Sequence, residues 1–201
     1  MKIKNLTVRR ETYRGSREVF SGLNLNLSGR VNVIYGSPGA GKSTLLEVIA
    51  GLISPSSGSV TDGTAGPRYF LMQVPERQFI YGTCREEIKK SGGSLKKAAE
   101  IFGIPENIMD IPPWSLSKGE RKKLLLAGLF FKKNRHRGYK KIVLDDPFRD
   151  LDQRGIDMVT EYFIKPEVNK VIMATANSRE FNYLKTKAIN FDIINLNDIK
   201  K

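Results

Sequence analysis

The chain has 201 residues, of which 40 % are hydrophobic and 27 % charged, a composition typical of a globular domain that buries its own core. No apolar run reaches the roughly 18 residues that a membrane-spanning helix requires, and residues 1–10 lack the apolar core of a signal peptide, so we expect a cytoplasmic protein. A single cysteine and a single histidine exclude an internal disulfide and a metal site built from histidines.

The chain is strongly basic. Lysine and arginine total 34 against 21 acidic residues, which gives a net charge of +13. Ten of the basic residues lie between Lys118 and Lys141, where Glu120 is the only acid. Nucleic acid, acidic phospholipid headgroups and nucleotide phosphates are therefore candidate partners, and the alternative is a solvated basic surface on a stable protein.

The first predicted elements are strands. Alternating apolar residues predict strands over 3–8 and 23–27, and the continuous apolar run VNVIY at 31–35 predicts a buried strand. Residues 43–50 have the pattern of a helix, and Gly51 is the residue that ends it.

The rest of the chain alternates helices with strands. The serine-rich stretch 54–59 predicts a loop, and residues 83–102 have a charged helical pattern that the small residues 91–94 interrupt. An apolar cluster predicts a helix over 118–131. Apolar runs predict further strands at 68–72, 141–147, 171–175 and 191–196. This order indicates an α/β fold with a mainly parallel central sheet.

A phosphate-binding loop follows the buried strand. Gly36, Gly41, Lys42 and Ser43 match the pattern G-x-x-x-x-G-K-[ST]. Small residues let backbone N–H groups approach phosphate oxygens, and the next helix directs its positive N-terminus at the same anion. Lys42 can reach the β- and γ-phosphates, and the Ser43 hydroxyl can hold Mg²⁺. The residues predicted to bind the nucleotide are Gly36, Ser37, Pro38, Gly39, Ala40, Gly41, Lys42, Ser43 and Thr44.

Two acidic residues end the strand KIVLDDP at 141–147. Enzymes with such a loop hold Mg²⁺ through an acid at the end of a neighbouring strand, and Asp145 has that position. Asp146 lies where a general base could orient a water molecule. The alternative is a pair of loop aspartates that begin a turn before Pro147.

The order of these motifs resembles that of ATP-binding-cassette (ABC) ATPases over nearly the whole chain. Tyr13 lies where that family stacks an aromatic ring on adenine, Gln73 lies where its Q-loop glutamine lies, and 116–120 (LSKGE) stands in place of its LSGGQ signature. Residues 141–147 match the Walker B strand, and 151–152 resemble the D-loop.

The resemblance implies ATP and Mg²⁺ as ligands, with Gln73 in both a catalytic and a metal-binding role and Asp146 as a catalytic residue. It also implies a RecA-like, mainly parallel sheet with an antiparallel β subdomain and a small helical subdomain. We expect a single domain over 1–201, with its core in 1–75 and 115–201 and its helical subdomain in about 76–114.

One stretch narrows the resemblance. Residues 73–79 (QVPERQF) look like the Q-x-P-E-x-Q segment of energy-coupling-factor (ECF) transporter ATPases, and 83–88 and 112–130 resemble the segments that follow it. The resemblance implies that the chain lies on the inner face of the cell membrane, bound to an integral-membrane coupling protein, and energises uptake of a vitamin or metal ion. The alternative is the Q-loop of another cassette subfamily.

In this family two subunits sandwich ATP. The resemblance implies that Ser117 and the backbone amide of Gly119 face the nucleotide of a partner subunit. An ordinary helix N-cap over 115–117 explains the same residues locally.

Several residues depart from the family pattern. Asp146 replaces a glutamate and is shorter by one methylene, roughly 1.5 Å of reach. Ala176 stands in place of the switch histidine, and His136 is expected to be an unrelated surface residue. The signature has Lys118 and Glu120 where the family has glycine and glutamine.

These departures suggest the degenerate half of a heterodimer, whose signature completes a competent site on its partner. One alternative is a soluble ABC-type ATPase that acts on nucleic acid, and another is a nucleotide-dependent scaffold that does not hydrolyse ATP. The leading interpretation includes no nucleic acid.

Overall fold

A computed structural model describes residues 1–13, 15–62, 68–131, 140–166 and 168–199. Within these ranges lie the strands β1 (Lys2–Thr12), β2 (Gly15–Asn26), β3 (Val31–Tyr35), β4 (Ser57–Thr61), β5 (Arg68–Leu71), β6 (Lys140–Asp145), β7 (Val168–Thr175) and β8 (Phe191–Asn195). The helices are α1 (Lys42–Ala50), α2 (Cys84–Lys90), α3 (Leu95–Phe102), α4 (Lys118–Phe131), α5 (Gln153–Phe163) and α6 (Arg179–Thr186). None of these helices is long and apolar enough to cross a membrane. His136 and much of the basic stretch lie outside the described residues.

The strands form two sheets. Five parallel strands run in the order β5-β6-β7-β3-β8, and three antiparallel strands run in the order β2-β1-β4. The predicted α/β class, with a mainly parallel sheet and an antiparallel β subdomain, is confirmed.

Both faces of the parallel sheet are covered. Side chains alternate along each strand, so Val33 of β3 belongs to the apolar cluster that α2, α3, α4 and α5 complete. Its neighbour Ile34 belongs to a second cluster, which α1 and the antiparallel sheet complete. This burial on two sides explains why 31–35 is a continuous apolar run.

Local sequence signals correctly predict several of these helix boundaries. Helix α1 ends at Gly51, whose φ of 77° is a left-handed conformation that suits glycine. The interruption predicted at 91–94 separates α2 from α3. The Thr83 side chain caps α2 and the Ser94 side chain caps α3.

The prediction of a loop over 54–59 is wrong in its second half. Residues 57–61 form β4, which pairs with β1 in antiparallel register. A Cβ atom at Gly58 would lie 2.2 Å from the Asn5 carbonyl oxygen, so the close approach of the two backbones requires glycine here. Serine and glycine are typical of turns, but here the segment pairs with the backbone of β1 and becomes a strand. Helices α5 and α6 were not predicted.

Helix α6 carries a buried carboxyl group. Glu180 is 9 % exposed, accepts a hydrogen bond from the Thr175 hydroxyl, and has no hydrogen-bond partner for Oε2 among the described residues. Burial raises the pKa of Glu180 to about 7, and the nearby charge of Asp146 contributes to the rise. In the folded chain Glu180 therefore stays protonated at pH values where an exposed glutamate is ionised.

We predict that Glu180→Gln removes a pH dependence of stability. From pH 4.5 to about 7 the folded chain holds a proton that the unfolded chain releases. The free energy of unfolding therefore falls as pH rises through this window, by up to about 3 kcal/mol. Urea denaturation across the window should show the full fall in the wild type and in the exposed control Glu161→Gln, and a much smaller fall in Glu180→Gln. Identical profiles for all three proteins would contradict the assignment.

Candidate functional site

A cleft of about 490 Å³ lies at the edge of the parallel sheet where β3, β6 and β7 end. The carboxyl ends of parallel strands are the usual ligand-binding edge of an α/β sheet. The cleft is lined by Arg10, Thr12, Arg17, Glu18, Val19, Pro38, Gly39, Gly41, Lys42, Ser43, Thr44, Gln73, Asp145, Asp146, Ala174, Thr175 and Ala176. One surface therefore combines most of the predicted phosphate loop with Gln73 and both aspartates.

Glycines shape the loop between β3 and α1. Gly39 and Gly41 have φ values of 79° and 95°, which glycine adopts without strain. A Cβ atom at Gly41 would lie 2.6 Å from the Phe20 ring and 2.8 Å from a Val19 methyl group. The antiparallel sheet therefore packs directly against the loop and forms one wall of the cleft.

Lys42 places a positive charge at the centre of the loop. Its Nζ atom donates hydrogen bonds to the carbonyl oxygens of Gly36 at 2.7 Å and Ser37 at 3.0 Å. Desolvation lowers the pKa of Lys42, whereas Asp145 and Asp146 act in the opposite direction. A cation held by carbonyl groups inside a cleft is suited to bind an anionic ligand.

Asp145 and Ser43 meet across the cleft. Asp145 ends β6, is 4 % exposed, and accepts a hydrogen bond from the Ser43 side chain. Burial raises the pKa of Asp145, and the Asp146 charge raises it further, although the Ser43 hydrogen bond opposes the shift. A carboxylate and a hydroxyl are oxygen ligands of the kind that Mg²⁺ takes together with substrate phosphates. No group of three or more acidic, histidine or cysteine side chains among the described residues forms a complete metal site.

The backbone at Asp146 is left-handed, with φ of 52°. Aspartate tolerates this conformation better than most residues because its short polar side chain can hydrogen-bond locally. Its N–H donates to the Ala174 carbonyl oxygen at 3.0 Å. The buried Lys122 donates from Nζ to the Asp146 carbonyl oxygen at 2.9 Å. These bonds hold the Asp146 side chain at the cleft.

Gln78 anchors the segment that carries Gln73. Its side chain accepts from the Met72 N–H at 2.7 Å and donates to the Phe70 carbonyl oxygen at 2.8 Å. The side chain thereby bonds to the backbone at the end of β5 and fixes the start of the loop at Gln73.

Several predicted residues do not line the cleft. Tyr13 lies just beyond β1 and is 91 % exposed. Ala40 is buried in the apolar cluster beneath α1, and Gly36 and Ser37, at the start of the loop, accept hydrogen bonds from Lys42 through their carbonyl oxygens. Contact of Tyr13 with adenine stays a prediction.

The signature residues lie at the start of α4. The Ser117 hydroxyl donates to the Glu120 carboxylate at 2.6 Å and accepts from the Glu120 N–H at 3.3 Å. A Cβ atom at Gly119 would lie 2.8 Å from the Asp150 carbonyl oxygen. Within a single chain Ser117 therefore caps α4 and Gly119 allows the close approach of the Asp150 backbone, and the action of both on a partner's nucleotide stays a prediction.

Sequence reasoning missed the wall formed by the antiparallel sheet. Arg10 and Arg17 are cross-strand partners on β1 and β2, and both line the cleft. Arg10 also forms an ion pair with Glu47 of α1. No motif marks these residues, because their place depends on the pairing of the two strands and on how that sheet packs against the loop.

The chain resembles known ATP-binding proteins. The energy-coupling factor transporter ATP-binding protein EcfA2 of Ligilactobacillus salivarius is 29 % identical over 161 residues, covering 67 % of this chain and 54 % of that protein. The putative HMP/thiamine import ATP-binding protein YkoD of Bacillus subtilis is 29 % identical over 183 residues, covering 81 % of this chain and 32 % of that protein. The chain thus spans about half the length of EcfA2 and a third of YkoD.

A solved structure shares the fold. The post-hydrolysis dimer of the ATP-binding cassette MJ0796, bound to ADP and Pi, superposes with a TM-score of 0.70 at 19 % identity, covering 89 % of this chain and 88 % of that chain. The family model described as ABC transporter matches residues 20–149, a range that contains the phosphate loop and both aspartates. Because this match covers more than half of the sequence, the chain belongs to the ABC transporter family.

Proposed function

We propose that the chain binds ATP with Mg²⁺ in the cleft and serves as an ATP-binding subunit of an ECF-type importer. The observation that carries the proposal is the convergence of Lys42, Ser43 and Asp145 on one cleft. The names of the related proteins EcfA2 and YkoD support a role in import.

The residues present suit the nucleotide and its cation. Lys42 would exchange its contacts with loop carbonyl groups for contacts with the β- and γ-phosphates, and the loop N–H groups would hold the same oxygens. Ser43, Asp145 and Gln73 would hold Mg²⁺. When bound, the cation neutralises phosphate charge. Tyr13 would contact adenine.

We further propose that the chain is the degenerate half of a heterodimer. The Asp146 side chain is one methylene shorter than glutamate, so it reaches less far as a general base. The methyl group of Ala176 cannot donate a hydrogen bond to a phosphate. Both residues line the cleft, so two catalytic contacts are lost in the same site. Ser117 and Gly119 remain and would complete the site of a second subunit, as the family's sandwich arrangement requires.

A groove beside α2 is the proposed docking site for a membrane partner. It has a volume of about 330 Å³ and lies between β5, the segment 78–81, α2 and α4. The Glu87 carboxylate accepts hydrogen bonds from the backbone N–H groups of Ile80 at 2.5 Å and Tyr81 at 2.6 Å. This contact fixes the segment and leaves the Ile80 side chain 80 % exposed at the groove.

The net charge of +13 supports one alternative, a soluble ATPase that acts on nucleic acid. Binding of that kind weakens steeply with salt, because it releases counterions from the phosphate backbone. Salt-sensitive binding of DNA or RNA, with no membrane protein copurifying, would favour this function over transport.

We predict that Lys42→Ala weakens MgATP binding at least about tenfold, since it removes charge-assisted hydrogen bonds of ~1.5–3 kcal/mol each. Lys97→Ala, which removes an exposed lysine of α3, should bind as the wild type does. Isothermal titration calorimetry measures both affinities. Equal affinity of Lys42→Ala and the wild type would refute nucleotide binding in this cleft.

We predict that Ile80→Asp abolishes copurification with a membrane protein from detergent extract and leaves MgATP affinity unchanged. A carboxylate here would have to lose its water on docking, a cost of several kcal/mol when it is left unpaired. Ile80 is preferred to its neighbour Phe79 for this test because Phe79 packs against the core. Ile164→Asp alters an exposed isoleucine outside the groove and serves as the control. Normal assembly of Ile80→Asp would place the docking surface elsewhere.

A further inference from the structure

We propose that Asn197 is a positioning residue for the phosphate loop, an inference that rests on the proposed binding of ATP. Its Oδ1 atom accepts two hydrogen bonds from Ser37, one from the backbone N–H at 3.1 Å and one from the hydroxyl at 2.9 Å. A backbone N–H can only donate, so the carboxamide oxygen of Asn197, not its NH₂ group, faces the loop.

The sheet delivers Asn197 to the loop. β3 and β8 are parallel neighbours with Tyr35 opposite Asn195, and the Leu196 N–H continues the pairing by donating to the Tyr35 carbonyl oxygen at 2.8 Å. The two strands therefore leave the sheet side by side, one into the phosphate loop and one into the turn that contains Asn197.

Neighbouring side chains hold that turn. The Asn195 carboxamide oxygen accepts from the Asn197 N–H at 3.1 Å, and the Asn195 NH₂ group donates to Asp198 at 2.8 Å. Asn197 thus reaches Ser37 from a segment with its own hydrogen bonds. A Cβ atom at Gly36 would lie only 3.5 Å from Asn197 Oδ1, so the two segments run close together.

The peptide group between Gly36 and Ser37 connects Asn197 to Lys42. Its N–H, which belongs to Ser37, donates to Asn197, and its carbonyl oxygen, which belongs to Gly36, accepts from Lys42 Nζ at 2.7 Å. Because a peptide group is planar and rigid, fixing its N–H also fixes its carbonyl oxygen, so Asn197 orients the start of the loop and the resting place of Lys42. A loop that is ordered before the ligand arrives loses less conformational entropy on binding.

The proposal makes a specific claim about Asn197→Ala. Without the carboxamide, the first turn of the loop is released, and the nucleotide must order it on binding. Losing the two hydrogen bonds that order this turn should weaken nucleotide binding about tenfold. ATP and ADP should lose affinity alike, because the loop surrounds the phosphates that both carry. Asn190→Ala, in the loop before β8, removes an exposed asparagine and is the matched control.

Two measurements test the claim, the first without nucleotide. Amide hydrogen exchange by NMR should show faster exchange of the Ser37 N–H in Asn197→Ala, and protection restored in Asn197→Asp, whose carboxylate also accepts. Calorimetry with Mg²⁺ and ATP or ADP should then show the tenfold loss in Asn197→Ala and wild-type affinity in Asn190→Ala. In a Ser37→Ala background the loss should shrink, because one of the two donors is already gone.

The outcomes separate the two proposals. Unchanged Ser37 exchange in Asn197→Ala, or unchanged affinity for both nucleotides, would overturn the role of Asn197. A wild-type chain that binds no nucleotide would overturn the proposed function, and the exchange data would still decide whether Asn197 holds the loop. Should Asn197→Ala fail to fold, Asn197→Asp and Ser37→Ala test the same contact.

Discussion

The site depends on one constraint: the backbone between β3 and α1 must wrap an anion at close range. Only glycine and other small residues allow that approach, so the loop cannot support itself with apolar side chains. Its support comes from three neighbours. The antiparallel sheet packs Phe20 and Val19 against Gly41, Lys42 bonds to two loop carbonyl groups, and Asn197 holds Ser37 from the turn after β8.

The same constraint explains which parts of the site could be predicted. The loop, α1 and Asp145 follow from local sequence, because a glycine-rich turn between an apolar strand and a helix has few other structures. Asn197 could not be predicted, since its partner lies 160 residues away along the chain. Arg10, Arg17 and β4 were missed for a related reason, because the pairing of β1 with its neighbours determines where they lie. The limits of the helical subdomain and the actions of Ser117 and Tyr13 beyond this chain stay predictions.

Replacing Asp146 by glutamate would not by itself restore the family pattern of the site. The left-handed backbone at Asp146 suits aspartate and asparagine, and Ala174 and Lys122 hold the peptide groups before and after it. A glutamate would regain reach but would have to adopt a conformation that longer side chains disfavour. Under the proposed function, Ala176, just beyond the end of the neighbouring strand β7, would remove a separate contact. The two losses would therefore belong to different parts of the catalytic arrangement.

The central claim is that this chain binds ATP in a catalytically impaired site and completes the site of a partner. The most direct test is steady-state phosphate release by the wild type, Asp146→Glu, Ala176→His and the double variant, each alone and with the copurifying ATPase subunit. Catalytic parts that act as a unit are not additive, and each is worth ~10²–10⁴-fold. The account predicts that both single variants stay near the wild-type rate and that, with the partner present, the double variant gains more than the product of the single gains. Robust turnover by the wild-type chain alone, or full rescue by Asp146→Glu alone, would contradict it.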